Sequence, residues 1–393
     1  MLHQKPCWPK IQYMRWIVAA RLLATSLFIV PSLHAQKAAA SSPFQMEQST
    51  SKASLRGIHS VGGGVAWASG TNGTVLRTED SGFVWQSCAM PPGAENLDFR
   101  GVWAWDAMTA IVMSSGPGDA SRLYKTTDGC VSWKLLATNT DKDGFWDAIA
   151  FSDEKDGLLL GDPVNRRIVL LGTRDGGISW TNVMSPGLDI AEAPVGFFAA
   201  SNSSMVLEDA DARDIGDAWI GSGSAKTSAG RWVGPYIFNG DAACGMKEPP
   251  RRCAKNAGFH RESTPIAGGS AAAGTFALDI RYDHGGVRKI VAVGGDYKAP
   301  ANTLGTAAWA LGGGPKWVTA SKPPHGYRSA VAWDAADEAW VCAGPNGSDY
   351  SLDDGKTWQT LDVTDVKNGW NAISLPWFVG PNGRIGKLVS LPH

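Results

Sequence analysis

The octapeptide TRDGGISW, residues 173–180, has the make-up of a tight hairpin turn: a hydroxyl residue, an aspartate, paired glycines and a closing tryptophan. Aligning the chain on it gives TEDSGFVW at 78–85, TTDGCVSW at 126–133 and SLDDGKTW at 351–358. A worn copy, ALGGGPKW at 310–317, has Gly312 in the aspartate's place. Asp80, Asp128 and Asp175 are 48 and 47 residues apart, and Gly312 and Asp353 are 41 apart. A period of this length marks a repeat architecture of small sheets. The offsets have a physical logic. The carboxylate accepts backbone N–H bonds of its own turn, and the glycine takes a backbone angle that other residues resist. The tryptophan lies on the sheet, its burial worth about 2–3 kcal/mol. Asp80, Trp85, Asp128, Trp133, Asp175, Trp180, Asp353 and Trp358 are therefore read as structural. The second turn has Cys130 where glycine is expected, so its geometry should be strained or different.

The flanks repeat as well. GIHSV (57–61), GVWAW (101–105), AIAFS (148–152), VGFFA (195–199), FALDI (276–280), SAVAW (329–333) and NAISL (371–375) read as first strands of seven units. Each is followed by a second apolar strand ending in glycine, such as VAWASG or KIVAVGG. Forty-seven glycines and 18 tryptophans suit a sheet protein rich in turns. Seven small sheets hide their faces only by stacking around an axis, so the expected fold is an all-β, seven-bladed propeller. The seventh unit stops without a fourth strand, and PFQMEQSTS (43–51) precedes the first with nothing of its own to pair with. This N-terminal strand is expected to complete the last blade. In the fourth unit a long insertion at about 239–263 replaces the turn and carries Cys244 and Cys253, whose spacing suggests a loop-closing disulfide.

Residues 1–35 read as a signal peptide, with Lys5, Lys10, Arg15 and Arg21 followed by the apolar LLATSLFIVPSL. Arg21 interrupts the apolar run, which is short for a span, so removal is expected rather than anchoring. A linker at 36–42 and one propeller domain at 43–393 follow. The expected location is periplasmic or extracellular, with no membrane span after removal of the signal. Five cysteines then remain, an odd number that leaves at least one thiol free or paired elsewhere. The net charge of -1 argues against nucleic acid as the main partner. A monomer is expected.

The turns resemble the Asp-box, or bacterial-neuraminidase, repeat. The whole mature chain resembles the photosystem II stability/assembly factor-like propellers, including their non-photosynthetic relatives. FRGVWAW, VGGDYKAPANTLGTAAW, YRSAVAW, GPNGSDYSLDDGKTWQ and GPNGRIGKL carry that similarity. The resemblance implies a seven-bladed scaffold that assists assembly through protein contacts, without enzymatic chemistry or cofactor, its turns structural and away from any catalysis.

The enzyme readings are less well supplied. An Asp-box glycoside hydrolase, sialidase-like or glucan-cleaving, is the alternative. The sialidase Arg-Ile-Pro signature is absent, and Tyr297 has no assignable glutamate partner, so it reads as packing between blades. Asp147 and Asp162, both near strand ends, are the pair an inverting hydrolase would need. NTDKDG, with Asn139, Asp141, Asp143 and Gly144, loosely matches a calcium loop but lacks its closing glutamate. EDADARD (208–214) is a second acidic cluster, and both read as solvated loops with no metal. His59, His260, His284 and His325 lack ligand spacing. No dinucleotide-binding glycine pattern opens a helix. A protein partner or acidic peptide is the expected ligand. Arg56 and Arg100, just before first strands, and Arg328, offset by one residue, would form a basic patch at one mouth of the channel. Asp147 and Asn371 occupy equivalent places. The arginines could instead pair with carboxylates across the pore. Trp103, Trp105, Trp146 and Trp370 are either core or contact surface.

Overall fold

The computed structural model describes residues 42–190, 195–208, 217–226, 232–246, 258–312 and 316–392. Residues 1–41, Cys253 and most of the 208–214 cluster lie outside the described residues. Ser42 to the C-terminal end forms one compact unit. Seven four-stranded antiparallel sheets stand around an axis, each touching the next through its innermost strand, and the seventh touching the first. Blade one runs Leu55–Gly62, Val65–Gly70, Val75–Thr78 and Gln86–Ser87 from the axis outward. The second strands are buried on both faces, as in Ala110–Ser114 and Ala339–Gly344, because each is covered by two neighbouring blades. They therefore read as continuous apolar runs, not as alternating ones.

The ring is closed by its own N-terminus. Phe44–Glu47 pairs with Ile385–Leu388 in the order Phe44 with Leu388 to Glu47 with Ile385. It forms the outer edge of blade seven, beside Ala372–Ser374 and Trp377–Val379. Phe44 packs its ring 5.1 Å from Trp370 and 4.8 Å from Phe378.

The four aspartate turns share one set of hydrogen bonds. Asp80, Asp128, Asp175 and Asp353 each accept at Oδ1 from the hydroxyl two residues back, at 2.8–2.9 Å. The same oxygen accepts the N–H four residues on, at 2.8–3.0 Å. The hydroxyl oxygen in turn accepts the N–H of the fifth residue, Gly82, Cys130, Gly177 or Gly355. Those fifth residues have φ of 94°, 65°, 83° and 78°. A side chain on the three glycines would also strike the preceding blade: Trp377 at 2.4 Å from Gly82, Ile111 at 2.6 Å from Gly177, Val291 at 2.8 Å from Gly355. Each turn is thus a contact between blades. In blade two Cys130 stands at this contact and is disulfide-bonded to Cys88 of the preceding blade's last connection. Trp85 and Trp358 are buried, while Trp133 and Trp180 are only half-buried, so the full burial expected of the tryptophans holds for two turns.

Blade four departs from the expectation. Its innermost strand is Met205–Leu207, and VGFFA (195–199) pairs with no strand. That stretch is apolar because its side chains pack on neighbours. The N–H of Phe197 is bonded to Asp162 of blade three, and Phe198 stacks on Phe276 of blade five, centroids 3.7 Å apart. The connection from Tyr236–Asp241 to His260–Ser263 stands where other blades have the aspartate turn. A hairpin, Ala225–Lys226 with Trp232–Val233, adds to the extra length. Cys244 is disulfide-bonded. Cys342 is the free cysteine among the described residues and is buried.

Candidate functional site

A recurrent four-residue pattern builds one mouth of the axial cavity: Leu55-Arg56-Gly57-Ile58, Phe99-Arg100-Gly101-Val102, Trp146-Asp147-Ala148-Ile149 and Thr275-Phe276-Ala277-Leu278. In each, the ladder skips the second residue. Leu55 pairs with Gly70 and Gly57 with Ser69, leaving Arg56 as a β-bulge; Arg100, Asp147 and Phe276 are bulged in the same way. A bulge re-aims its extra side chain and ends regular pairing. Here all four are turned into the cavity. The following residue must be small, since a Cβ on Gly57 would lie 2.9 Å from the carbonyl of Arg100 on the next blade. Arg328-Ser329-Ala330-Val331 and Trp370-Asn371-Ala372-Ile373 continue the pattern without the skipped pairing, and Ser329 and Asn371 reach the same cavity.

The cavity measures about 430 Å³. One wall is aromatic. Phe276 meets Tyr327 edge-on at 4.7 Å and Tyr297 at 6.2 Å, and stacks on Phe198. Tyr297, expected as packing between blades, instead lies about half-exposed on this wall. The other wall is charged. Arg100 is bonded to Asp98 at 2.8 Å and to the carbonyl of Ala199 at 3.2 Å. Arg56 has a buried Nε with no hydrogen-bond partner, and burial followed by the nearby Arg100 weakens its hold on its proton. Asp147 is 1% exposed and its Oδ2 has no partner. Burial first, and then Asp162, push its pKa well above the usual carboxylate range, against the pull of Arg100. Asp162 is raised by burial too, though its bond from the Phe197 N–H opposes this. Burial disfavours the charged form of both carboxyls, while Arg100 is already paired with Asp98, so Arg56 is the arginine of this mouth that has no bonded carboxylate.

Arg328 is a correction. It is fully buried rather than at the mouth, donating from Nε to Asp349 at 2.8 Å with a second, shorter bond from Nη2, and donating to Asn346 at 2.6 Å. The one-residue offset decides this. In the repeated pattern Arg328 stands in register with Leu55, Phe99, Trp146, Thr275 and Trp370, all buried, and the side chain beside it faces the other way. Phe276 and Tyr327 are mouth residues that sequence reasoning missed, although the Thr-Phe-Ala-Leu context of Phe276 was a legible signal. Arg56 and Arg100 are the second residues of their strands, not the residues before them.

The remaining candidates fall elsewhere. Asn139 and Asp141 accept N–H bonds of their own turn, from Asp141 and Asp143. Glu208 pairs with Arg288 at 2.8 Å. His325 bridges Asp349 and the carbonyl of Asn346. His59 lines the opposite mouth with Trp103, its rings 4.3 Å apart, and burial drops its pKa to about 4. His260 is on the outer strand of blade four, and His284 lies in an exposed turn. Trp146 and Trp370 are core, whereas Trp103 and Trp105 are half-buried. Among the described residues no three His, Cys, Asp or Glu side chains gather in a metal-binding group, and no helix is long and apolar enough to cross a membrane.

No protein-family model and no curated protein matches the sequence. Solved structures do match. YCF48 bound to a D1 peptide aligns with a TM-score of 0.55 at 15% identity, over 90% of this chain and 98% of that one. YCF48 from Cyanidioschyzon merolae gives 0.55 at 16%, over 88% and 98%. The chain shares the seven-bladed fold of YCF48. The extracellular domain of a hybrid two-component system from B. thetaiotaomicron aligns at 0.50 and 12% identity, over 88% of this chain and 39% of that one. At these identities the likeness is one of fold, and it is the fold that the assembly-factor resemblance implied.

Proposed function

We propose that this chain is an exported, non-catalytic propeller scaffold that holds an acidic peptide segment of a protein partner at the Arg56–Arg100 mouth. The observation that carries the reading is the pairing of a half-buried arginine, its Nε buried without a partner, with an aromatic wall in one cavity. Arg56 and Arg100 supply charge-assisted donors for carboxylates, and Phe276, Tyr297 and Tyr327 accept an adjoining apolar side chain. A propeller of the same fold being bound to a peptide supports it. The assembly role belongs to this reading as the resemblance implies it.

Arg56→Ala with Arg100→Ala should weaken binding of a fluorescent Asp/Glu-rich peptide about tenfold or more, and the parent's affinity should fall with added salt. Unchanged affinity would remove the mouth as the site. Release of reducing sugar from a polysaccharide panel, lost in Asp147→Asn, would replace the scaffold with a hydrolase.

A further inference from the structure

The innermost strand of blade one leads from Arg56 to the turn at Gly62–Gly64, and the N–H of Ser81 is bonded there to the carbonyl of Gly64 at 3.0 Å. The aspartate turns therefore occupy the face opposite the arginine mouth. In blades one, two and three the sixth residue of the turn is Phe83, Val131 and Ile178, exposed by 84, 76 and 57%. These turns adjoin one another. Arg77 donates to the carbonyl of Ala107 in blade two, Cys88 is bonded to Cys130, and Lys125 Nζ donates to Gly176 of the third turn at 2.7 Å. Met108, also exposed, lies between them, its carbonyl accepting the Gly129 N–H.

The turn itself does not ask for an apolar side chain at this offset. In blade six the same hydrogen bonds form around Lys356. Three apolar tips on three consecutive blades thus form a surface with no folding requirement behind it, the mark of a contact site. Charge selects the partner. Asp80, Asp128 and Asp175 stand in the turns, and the bonds they accept hold Asp80 and Asp128 ionised, Asp128 down to about 2. Glu79 and Glu154 are exposed on the same face. Of the nearby cations, Arg77 lies over Trp67 and is paired with Glu79 at 3.4 Å, Lys125 lies over Trp105, and Lys155 is exposed beside Glu154; the five carboxylates outnumber these three.

We propose that the Phe83–Val131–Ile178 arc docks a cationic amphipathic segment of another protein, its bulky apolar side chains on the tips and its Lys or Arg side chains against the carboxylates. The same carboxylates repel an anionic bilayer. The site is independent of the arginine mouth.

The test is fluorescence titration of the full chain with a labelled synthetic Leu/Lys amphipathic helix. Phe83→Ser, Val131→Ser and Ile178→Ser together should weaken binding about tenfold or more, with an unchanged melting temperature because all three side chains are exposed. Glu79→Gln with Glu154→Gln should weaken it severalfold and flatten its salt dependence. Arg56→Ala with Arg100→Ala should leave it unchanged. Equal binding by the triple variant overturns the proposal. So does equal binding of phosphatidylglycerol vesicles. A parent dimer that the triple variant converts to monomer would make the arc a contact between copies instead.

Discussion

Arg328 shows how one side chain's fate depends on its neighbours. Five other blades place Leu, Phe, Trp or Thr in its register, and each is buried without charge. A cation there is tolerable only because Asp349, itself buried, lies against it and His325 and Asn346 complete the network. Arg328→Leu strands the Asp349 carboxylate, and chemical denaturation should show a loss of about 3–5 kcal/mol. Replacing Asp349 with Leu as well should recover most of that loss, because an apolar pair suits the register. Recovery failing would mean that the ion pair does more than neutralise itself. Sequence reasoning saw an arginine near a strand start. It saw the one-residue offset too, but not that the offset turns the side chain to the other face, onto Asp349. Arg56, Arg100, Asp147 and Asn371 do come together at one mouth, three of them as bulged second residues of the recurrent four-residue pattern.

At the scale of the element, the aspartate turn serves two ends. It closes a hairpin with its own hydrogen bonds, and its fifth residue sits against the preceding blade, where only glycine leaves room. Blade two replaces that contact with a covalent one. Reducing or removing the Cys88–Cys130 bond, which closes a 42-residue separation, should cost about 2–4 kcal/mol in equilibrium unfolding. Cys88→Ser with Cys130→Gly should exceed Cys88→Ser with Cys130→Ser in stability by up to about 1 kcal/mol, since the φ of 65° at residue 130 favours glycine. Equal stabilities would show that the turn relaxes once the bond is gone. The turn was legible from its spacing, and so was the oddity of Cys130. Its partner was not, because Cys88 is near only after two blades have packed. Blade four was misread for a related reason: VGFFA has a strand's composition, but the Phe197 N–H is bonded to blade three and the Phe198 ring stacks on blade five.

For the molecule as a whole, closure rests on four residues from the N-terminal end. A chain beginning after Glu47 should expose Ile385–Leu388 as an open edge and lose the burial of Phe44. Its unfolding free energy should fall by at least about 3 kcal/mol. Concentration-dependent aggregation should appear in light scattering, and a peptide of residues 42–51 should reverse both. The ring also separates two faces, one with arginines around a cavity and one with aspartates around apolar tips, at opposite ends of the same inner strands. The sequence alone determined the number of blades, the repeated turn and the pairing of the two chain ends, because these follow from periodicity and from a missing strand. Tertiary structure decided which side chains share the mouth, which cysteines join and which arginine is buried. Those depend on bulges and on contacts between blades, where residues far apart in the chain settle which way each side chain can point.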